Sequence, residues 1–240
     1  DLAAGEHVTC TFTNTRRGSI NVVKQAVGGD GIFPFASQTL SPSAFNLTTV
    51  NGTAQITFTD VVSGLYDVAE TVPAGWDLSS ILCDNGDVPS AITLLPGATV
   101  TCTFTNVKLA QLTVVKESSG GDGAFDIVST TLTPTVFSLT TISGTAQRTF
   151  TDLQPGLYDV SESVPTGWDQ TGATCSNGAA PNGVTLSAGD VVTCTLQNTK
   201  RGTVVVVKQA VGGDALFHFA SQTLRPAAFN LTTVSGTAQI

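Results

Sequence analysis

A lysine, a glutamate, an asparagine, a tryptophan and two cysteines recur along this chain at a fixed interval of 92 residues, with no insertion to break the register. Lys24, Lys116 and Lys208 are in step, as are Glu70 and Glu162, Trp76 and Trp168, and Cys83 and Cys175. So are Cys10, Cys102 and Cys194, and Asn14, Asn106 and Asn198. Such an interval is too long for a solenoid and fits a small domain with a core of its own. The period divides the chain into the last strand or strands of a preceding repeat (1–17), complete repeats over 18–108 and 109–200, and the first half of a following repeat (201–240). Over the opening third of a repeat the first copy matches the third better than the second, so unit types alternate. The partial copies are too short to complete one another. The sequence therefore reads as a window on a longer array, with Cys10 expected to pair upstream.

The formal charge is −8, only 12% of residues are charged, and Met is absent. The surface must then be clothed mainly in Thr, Ser, Asn and Gly, and its acidity argues against nucleic acid and anionic membrane surfaces as partners. No apolar run approaches the roughly 18–20 residues that a membrane-spanning helix needs.

Helix signals are nearly absent. Runs rich in Val, Thr, Ile and Phe alternate with Gly, Pro, Asn and Asp, the pattern of strands and turns. In one unit the strands are expected over 19–27, 32–36, 44–50, 53–59, 65–72, 76–83, 91–95 and 98–106, with Asn51-Gly52 as a two-residue hairpin turn. That number of short strands in about 90 residues suggests an antiparallel two-sheet sandwich. Only Val107, Lys108, Leu109 and Ala110 separate one unit's last strand from the next unit's first, too few for a flexible linker. A stiff rod is expected. Arg16, Arg17, Lys108, Lys200 and Arg201 cluster at the joints and are expected to face acidic loops of neighbouring units.

Each unit holds two cysteines, Cys83 with Cys102 and Cys175 with Cys194. Two thiolates are too few for zinc, and His7 and His218 do not recur, so no metal is expected. A buried free thiol has no reason to come in pairs. Within-unit disulfides are the favoured reading and imply an oxidising, extracellular location.

Residues two apart on a strand share a face. Lys24 therefore shares one with Ile20 and Val22, Glu70 with Tyr66 and Val68, and Asn106 with Val100, Cys102 and Phe104. Lys116, Glu162 and Asn198 repeat the pattern, so three polar groups point at the core of each complete unit. A lone buried Lys or Glu costs several kcal/mol unless paired or neutralised. Two chemistries fit. In one, Lys and Glu form a buried salt bridge while Asn caps an edge. In the other, desolvation favours a neutral amine beside a protonated acid; the amine attacks the Asn carbonyl, ammonia leaves, and an amide joins the first strand to the last.

The order Val22-Val23-Lys24, then Glu70-Thr71-Val72-Pro73-Ala74-Gly75-Trp76, then Thr103-Phe104-Thr105-Asn106 resembles the Cna protein B-type, or SpaA-like prealbumin-like, domains of bacterial surface adhesins and pili. Ser63-Gly64-Leu65-Tyr66 and Gln154-Pro155-Gly156-Leu157-Tyr158 resemble that family's approach to the Glu strand. The resemblance implies an all-β fold of tandem immunoglobulin-like, prealbumin-like antiparallel β-sandwich domains. It also implies Lys–Asn isopeptide bonds formed with Glu assistance, one from Lys24, Glu70 and Asn106 and one from Lys116, Glu162 and Asn198. Trp76 and Trp168 stand where Tyr is commoner, and the cysteine pair is unusual for the family. The function it implies is a structural segment of an extracellular filament or adhesin stalk. The alternatives are an array whose domains bind a host or matrix ligand, or a subunit that assembles laterally into a helical fibre. Neighbouring repeats and copies of the chain are the expected partners, and no cofactor is expected.

The remaining motifs are weak. Asp84-Asn85-Gly86-Asp87 looks like part of a calcium loop, but its counterpart Ser176-Asn177-Gly178-Ala179 lacks both acids, so a turn fits better. Gly28-Gly29-Asp30 precedes no helix and also reads as a turn. Asn46-Leu47-Thr48 and Asn230-Leu231-Thr232 fit a short glycosylation acceptor pattern. No catalytic triad or substrate cleft is discernible, so turnover chemistry is not expected.

Overall fold

The computed structural model describes all 240 residues, which separate into two compact units, 1–199 and 200–240. Within the first, residues 18–108 form strands β1 (Gly18–Val27), β2 (Ile32–Ala36), β3 (Ala44–Thr48), β4 (Thr53–Val61), β5 (Gly64–Tyr66), β6 (Ala69–Glu70), β7 (Trp76–Cys83), β8 (Ile92–Leu94) and β9 (Thr99–Lys108). Residues 110–200 repeat them as β10 (Ala110–Ser119), β11 (Ala124–Val128), β12 (Val136–Thr140), β13 (Thr145–Leu153), β14 (Gly156–Tyr158), β15 (Ser161–Ser163), β16 (Trp168–Cys175), β17 (Val184–Leu186) and β18 (Val191–Lys200). The one helical turn is a short 3₁₀ segment, Pro181–Gly183.

Four strands make the main sheet of the first repeat in the order β4-β1-β9-β7, and β13-β10-β18-β16 make that of the second. Opposite it lie the smaller sheets β3-β2-β6 and β5-β8, with β12-β11-β15 and β14-β17 as their counterparts. The alternating burial of β1 and β9 turns Ile20, Val22, Val100, Cys102 and Phe104 inward, where they meet Phe33, Phe35 and Leu47 from the smaller sheet. The fold is thus the tandem all-β sandwich that the alternation suggests. One feature is exceptional in an otherwise antiparallel structure: first and last strands lie side by side and parallel, with Lys24 opposite Phe104 and Lys116 opposite Leu196.

The turns obey local chemistry. At the β3–β4 hairpin Asn51 (φ 54°) and Gly52 (φ 78°) take left-handed conformations. The Asp30 carboxylate accepts both of their N–H groups, at 3.1 and 2.7 Å. Asp122 and Asp214 do the same for Ser143-Gly144 and Ser235-Gly236.

Several expectations need correction. The run 65–72 is not one strand but two, β5 and β6, which join different sheets. Between them the Asp67 carboxylate takes the N–H of Gln38 and the hydroxyl of Thr39, bending the chain from one sheet to the other. Residues 1–17 form no strand, and Cys10 is exposed and unpaired within this chain. In the 200–240 unit the strands are β19 (Val207–Gln209), β20 (Leu216–Ala220), β21 (Ala228–Thr232) and β22 (Thr237–Gln239), and the first is far shorter than β1.

Three of the joint cations do not make the expected contacts either. Arg16, Arg17 and Lys108 enter no ion pair. Instead Gly97 N–H donates to the Arg16 carbonyl (3.0 Å), and 92 residues later Gly189 N–H donates to the Lys108 carbonyl (2.9 Å). Arg17 donates to the Asp60 carbonyl at 2.9 Å, and Asp77 accepts from Gln154 across the junction at 3.0 Å. Gly28 and Gly189 permit this approach: a Cβ on Gly189 would lie 2.3 Å from the Gly28 carbonyl oxygen.

Candidate crosslink site

The inward face of β1 carries Lys24 between Val22 and Ala26, that of β9 ends at Asn106, and β6 brings Glu70 across from the opposite sheet. Lys24 and Asn106 are fully buried, and the Glu70 side chain is 1% exposed. The three meet. Lys24 Nζ lies 3.3 Å from Glu70 Oε1, and Asn106 Nδ2 donates to the same oxygen at 2.8 Å. The amine also donates to the Phe104 carbonyl at 3.1 Å. Glu70 Oε2 and Asn106 Oδ1 are left buried without a partner.

The second repeat reproduces this set. Lys116 Nζ donates to Glu162 Oε2 at 3.0 Å and to the Leu196 carbonyl at 3.2 Å, and Asn198 Nδ2 makes a short bond to Glu162 Oε1. Asn198 Oδ1 again has no partner. Because β1 and β9 are parallel neighbours, Lys24 and Asn106 sit two residues apart along one face, and Glu70 Oε1 contacts both the amine and the amide.

Burial pushes both amines below the ordinary lysine pKa. The charge and hydrogen bond of Glu70 oppose the shift at Lys24, and Glu162, with a contribution from Glu117, opposes it at Lys116. One participant escaped sequence reasoning. The buried Phe33 ring lies 4.4 Å from Lys24 Nζ and packs edge-on to Trp76, and Phe125 does the same for Lys116 and Trp168. The signal was present, since Phe33, Phe125 and Phe217 share the 92-residue period. In the partial third copy Lys208 Nζ lies over Phe217 at 4.2 Å.

The cysteines pair within units. Cys83 joins Cys102 and Cys175 joins Cys194. In the first repeat the bond links directly opposed residues of β7 and β9. No cluster of His, Cys, Asp or Glu has the makings of a metal site, and Asp84–Asp87 is a turn closed by the Asp87 carboxylate on Asn85 and Thr93.

A family model described as a prealbumin-like fold domain, SpaA type, matches residues 20–108 and again 112–200. The chain belongs to this family. No curated protein matches the SpaA-type chain. Among solved structures it is similar to the Bacillus anthracis TIE protein, at 18% identity over 94% of this chain and 43% of that one, with a TM-score of 0.34. A streptococcal ancillary pilin is 20% identical over 77% of this chain and 63% of its own, with a TM-score of 0.30. The shaft pilin SpaA from Lactobacillus rhamnosus GG is 13% identical over 78% and 99%, with a TM-score of 0.28. The SpaA-type chain thus spans less than two thirds of the first two.

Proposed function

We propose that the chain is a load-bearing segment of an extracellular surface filament or stalk, in which each complete repeat, 18–108 and 109–200, closes an isopeptide bond between its first and last strands. The observation that carries this reading is the burial of a Lys, a Glu and an Asn in mutual contact, twice, at the same place in the fold. A salt bridge alone leaves Glu70 Oε2 and both asparagine carbonyl oxygens unsatisfied in the core, a costly arrangement. Flipping the Asn106 amide toward a protonated carboxyl would satisfy the carbonyl oxygen and polarise it for attack.

The Lys24 lone pair then adds to Asn106 Cγ while the carbonyl oxygen takes the carboxyl proton. Glu70 next relays a proton from Nζ to Nδ2, the C–N bond to Nδ2 breaks, ammonia leaves, and the oxygen returns its proton to Glu70 as the carbonyl re-forms. A primary amine and a primary amide become one secondary amide, and Glu70 ends as it began. A cavity of about 300 Å³ beside Glu162, bordered by Ser161, Gln170 and Asn182, offers departing ammonia a route in the second repeat. Each domain reacts once, with itself, and no external substrate is turned over. The family match and the disulfides support an extracellular setting. Intact mass of the full chain, corrected for disulfides, should fall short of the calculated value by two ammonias. An unmodified mass in the folded protein would leave the clusters as buried ion pairs.

A further inference from the structure

The outer face of β9 carries Thr99, Thr101, Thr103, Thr105 and Val107, and its inner face carries Val100, Cys102, Phe104 and Asn106. If this strand slid by two residues against its neighbours, Thr would mostly replace Thr outside and apolar would mostly replace apolar inside. Burial therefore discriminates weakly against a two-residue slip, although it forbids a one-residue slip that would exchange the faces. The reaction does discriminate. A two-residue slip moves the Asn106 amide by about 6.7 Å along the strand, out of reach of Lys24. Two features single out the native register: Cys102, which must face Cys83, and the irregularity of β7 between Leu78 and Ser80, which lies between that disulfide and the partner of Asn106.

We propose that the Cys83–Cys102 disulfide is a register lock that closes first and positions Asn106 for its reaction with Lys24. This inference rests on the crosslink reading above. In the first step two thiols yield two protons and two electrons to a thiol–disulfide oxidant of the extracytoplasmic space. The second step is redox-neutral, amine plus amide giving amide plus ammonia. The cysteines are thus positioning residues, acting through the strand that bears Asn106. The second repeat depends on its lock less. The outer face of β18 reads Val191, Thr193, Thr195, Gln197 and Thr199, which is not degenerate, and Gln197 Nε2 donates to Glu117 on β10 at 2.8 Å.

The test follows bond formation in the full chain over time by intact mass, with peptide mapping of the two branched products. In the Cys83→Val, Cys102→Val chain, Lys24–Asn106 should join about tenfold or more slowly, as misplaced reacting groups do, while Lys116–Asn198 keeps its rate as internal control. The wild-type chain kept reduced retains its native core side chains, and there the first repeat should slow more than the second. Equal rates for the first repeat with and without its disulfide overturn the proposal. So does a first repeat that loses all protease resistance when reduced, since the disulfide would then serve the whole fold and not register. If the oxidised wild-type chain forms neither amide, the crosslink reading itself fails.

Discussion

Lys24 donates its amine to the main-chain carbonyl of Phe104, the residue directly across the parallel ladder, and so is held two residues short of Asn106 on the same face. Lys116 stands in the same relation to Leu196. The ladder thus fixes where the amine lies on the face that carries the asparagine, and the carboxylate from the opposite sheet contacts both amine and amide.

Replacing Glu70 with Gln should keep the hydrogen-bonding shape and remove the proton relay. The full chain should then retain one more ammonia than the wild type, and mapping should place the missing bond in the first repeat alone. Glu162→Gln should do the same in the second.

A chain that cannot close the first bond, Asn106→Ala, should show a pH dependence that the closed chain lacks. Burial lowers the folded Lys24 amine below its ordinary value, so between that lowered pKa and about 10.4 the unfolded chain holds the extra proton. Stability should rise with pH through this window and level off above it. In a wild-type chain that has closed the proposed bond the nitrogen would be an amide, and this contribution would vanish. Urea titrations at a series of alkaline pH values compare the two.

Asp30, Asp122 and Asp214 are held below the usual carboxylate range, chiefly by the backbone N–H groups of Gly52, Gly144 and Gly236. Their contribution to stability is present above the unfolded Asp pKa of about 3.9 and is lost as pH falls through the lower folded values. Asp30→Ala should loosen the β3–β4 hairpin at neutral pH and reduce the acid sensitivity of the first repeat. Amide exchange at Asn51 and Gly52 reads both effects.

Phe33 is fully buried between the Lys24 amine and Trp76. Phe33→Ala should lower the stability of an uncrosslinked first repeat by about 3–5 kcal/mol. Phe33→Leu should fold but slow bond formation, because water reaching the amine weakens the desolvation that lowers its pKa. Chemical denaturation and the mass time course separate the two.

Gly189→Val should open the junction between the repeats, since any Cβ there collides with the Gly28 carbonyl. NMR relaxation of residues on either side of Lys108 should report increased independent tumbling in the glycine variant.

Strand alternation alone placed Lys24, Glu70 and Asn106 inside, because a period of two is a local property that each strand displays by itself. The β5–β6 break was invisible for the complementary reason. Tyr66, Val68 and Glu70 keep strict alternation straight through it, and the bend depends on Asp67 finding Thr39 and Gln38, 28 and 29 residues earlier. The joints misled because charge is conspicuous in a sequence, whereas the Gly189–Lys108 bond uses main-chain atoms alone, and the glycine it needs looks like any other turn glycine. Phe33 went unnoticed among ordinary core aromatics, since its relation to the amine exists only once two sheets face each other.

The parallel adjacency of β1 and β9 has a consequence for how a unit responds to tension. Pulling on Gly18 and on Lys108 drags the two strands in opposite directions along their common axis, so the ladder is sheared and not unzipped. With the amide closed, the force passes from Lys24 to Asn106 and never enters the residues between them. Fully drawn out, that bypassed stretch would measure about 280 Å. A closed repeat withholds this slack, so the array should behave under load as an inextensible tether instead of a spring that lengthens by unfolding.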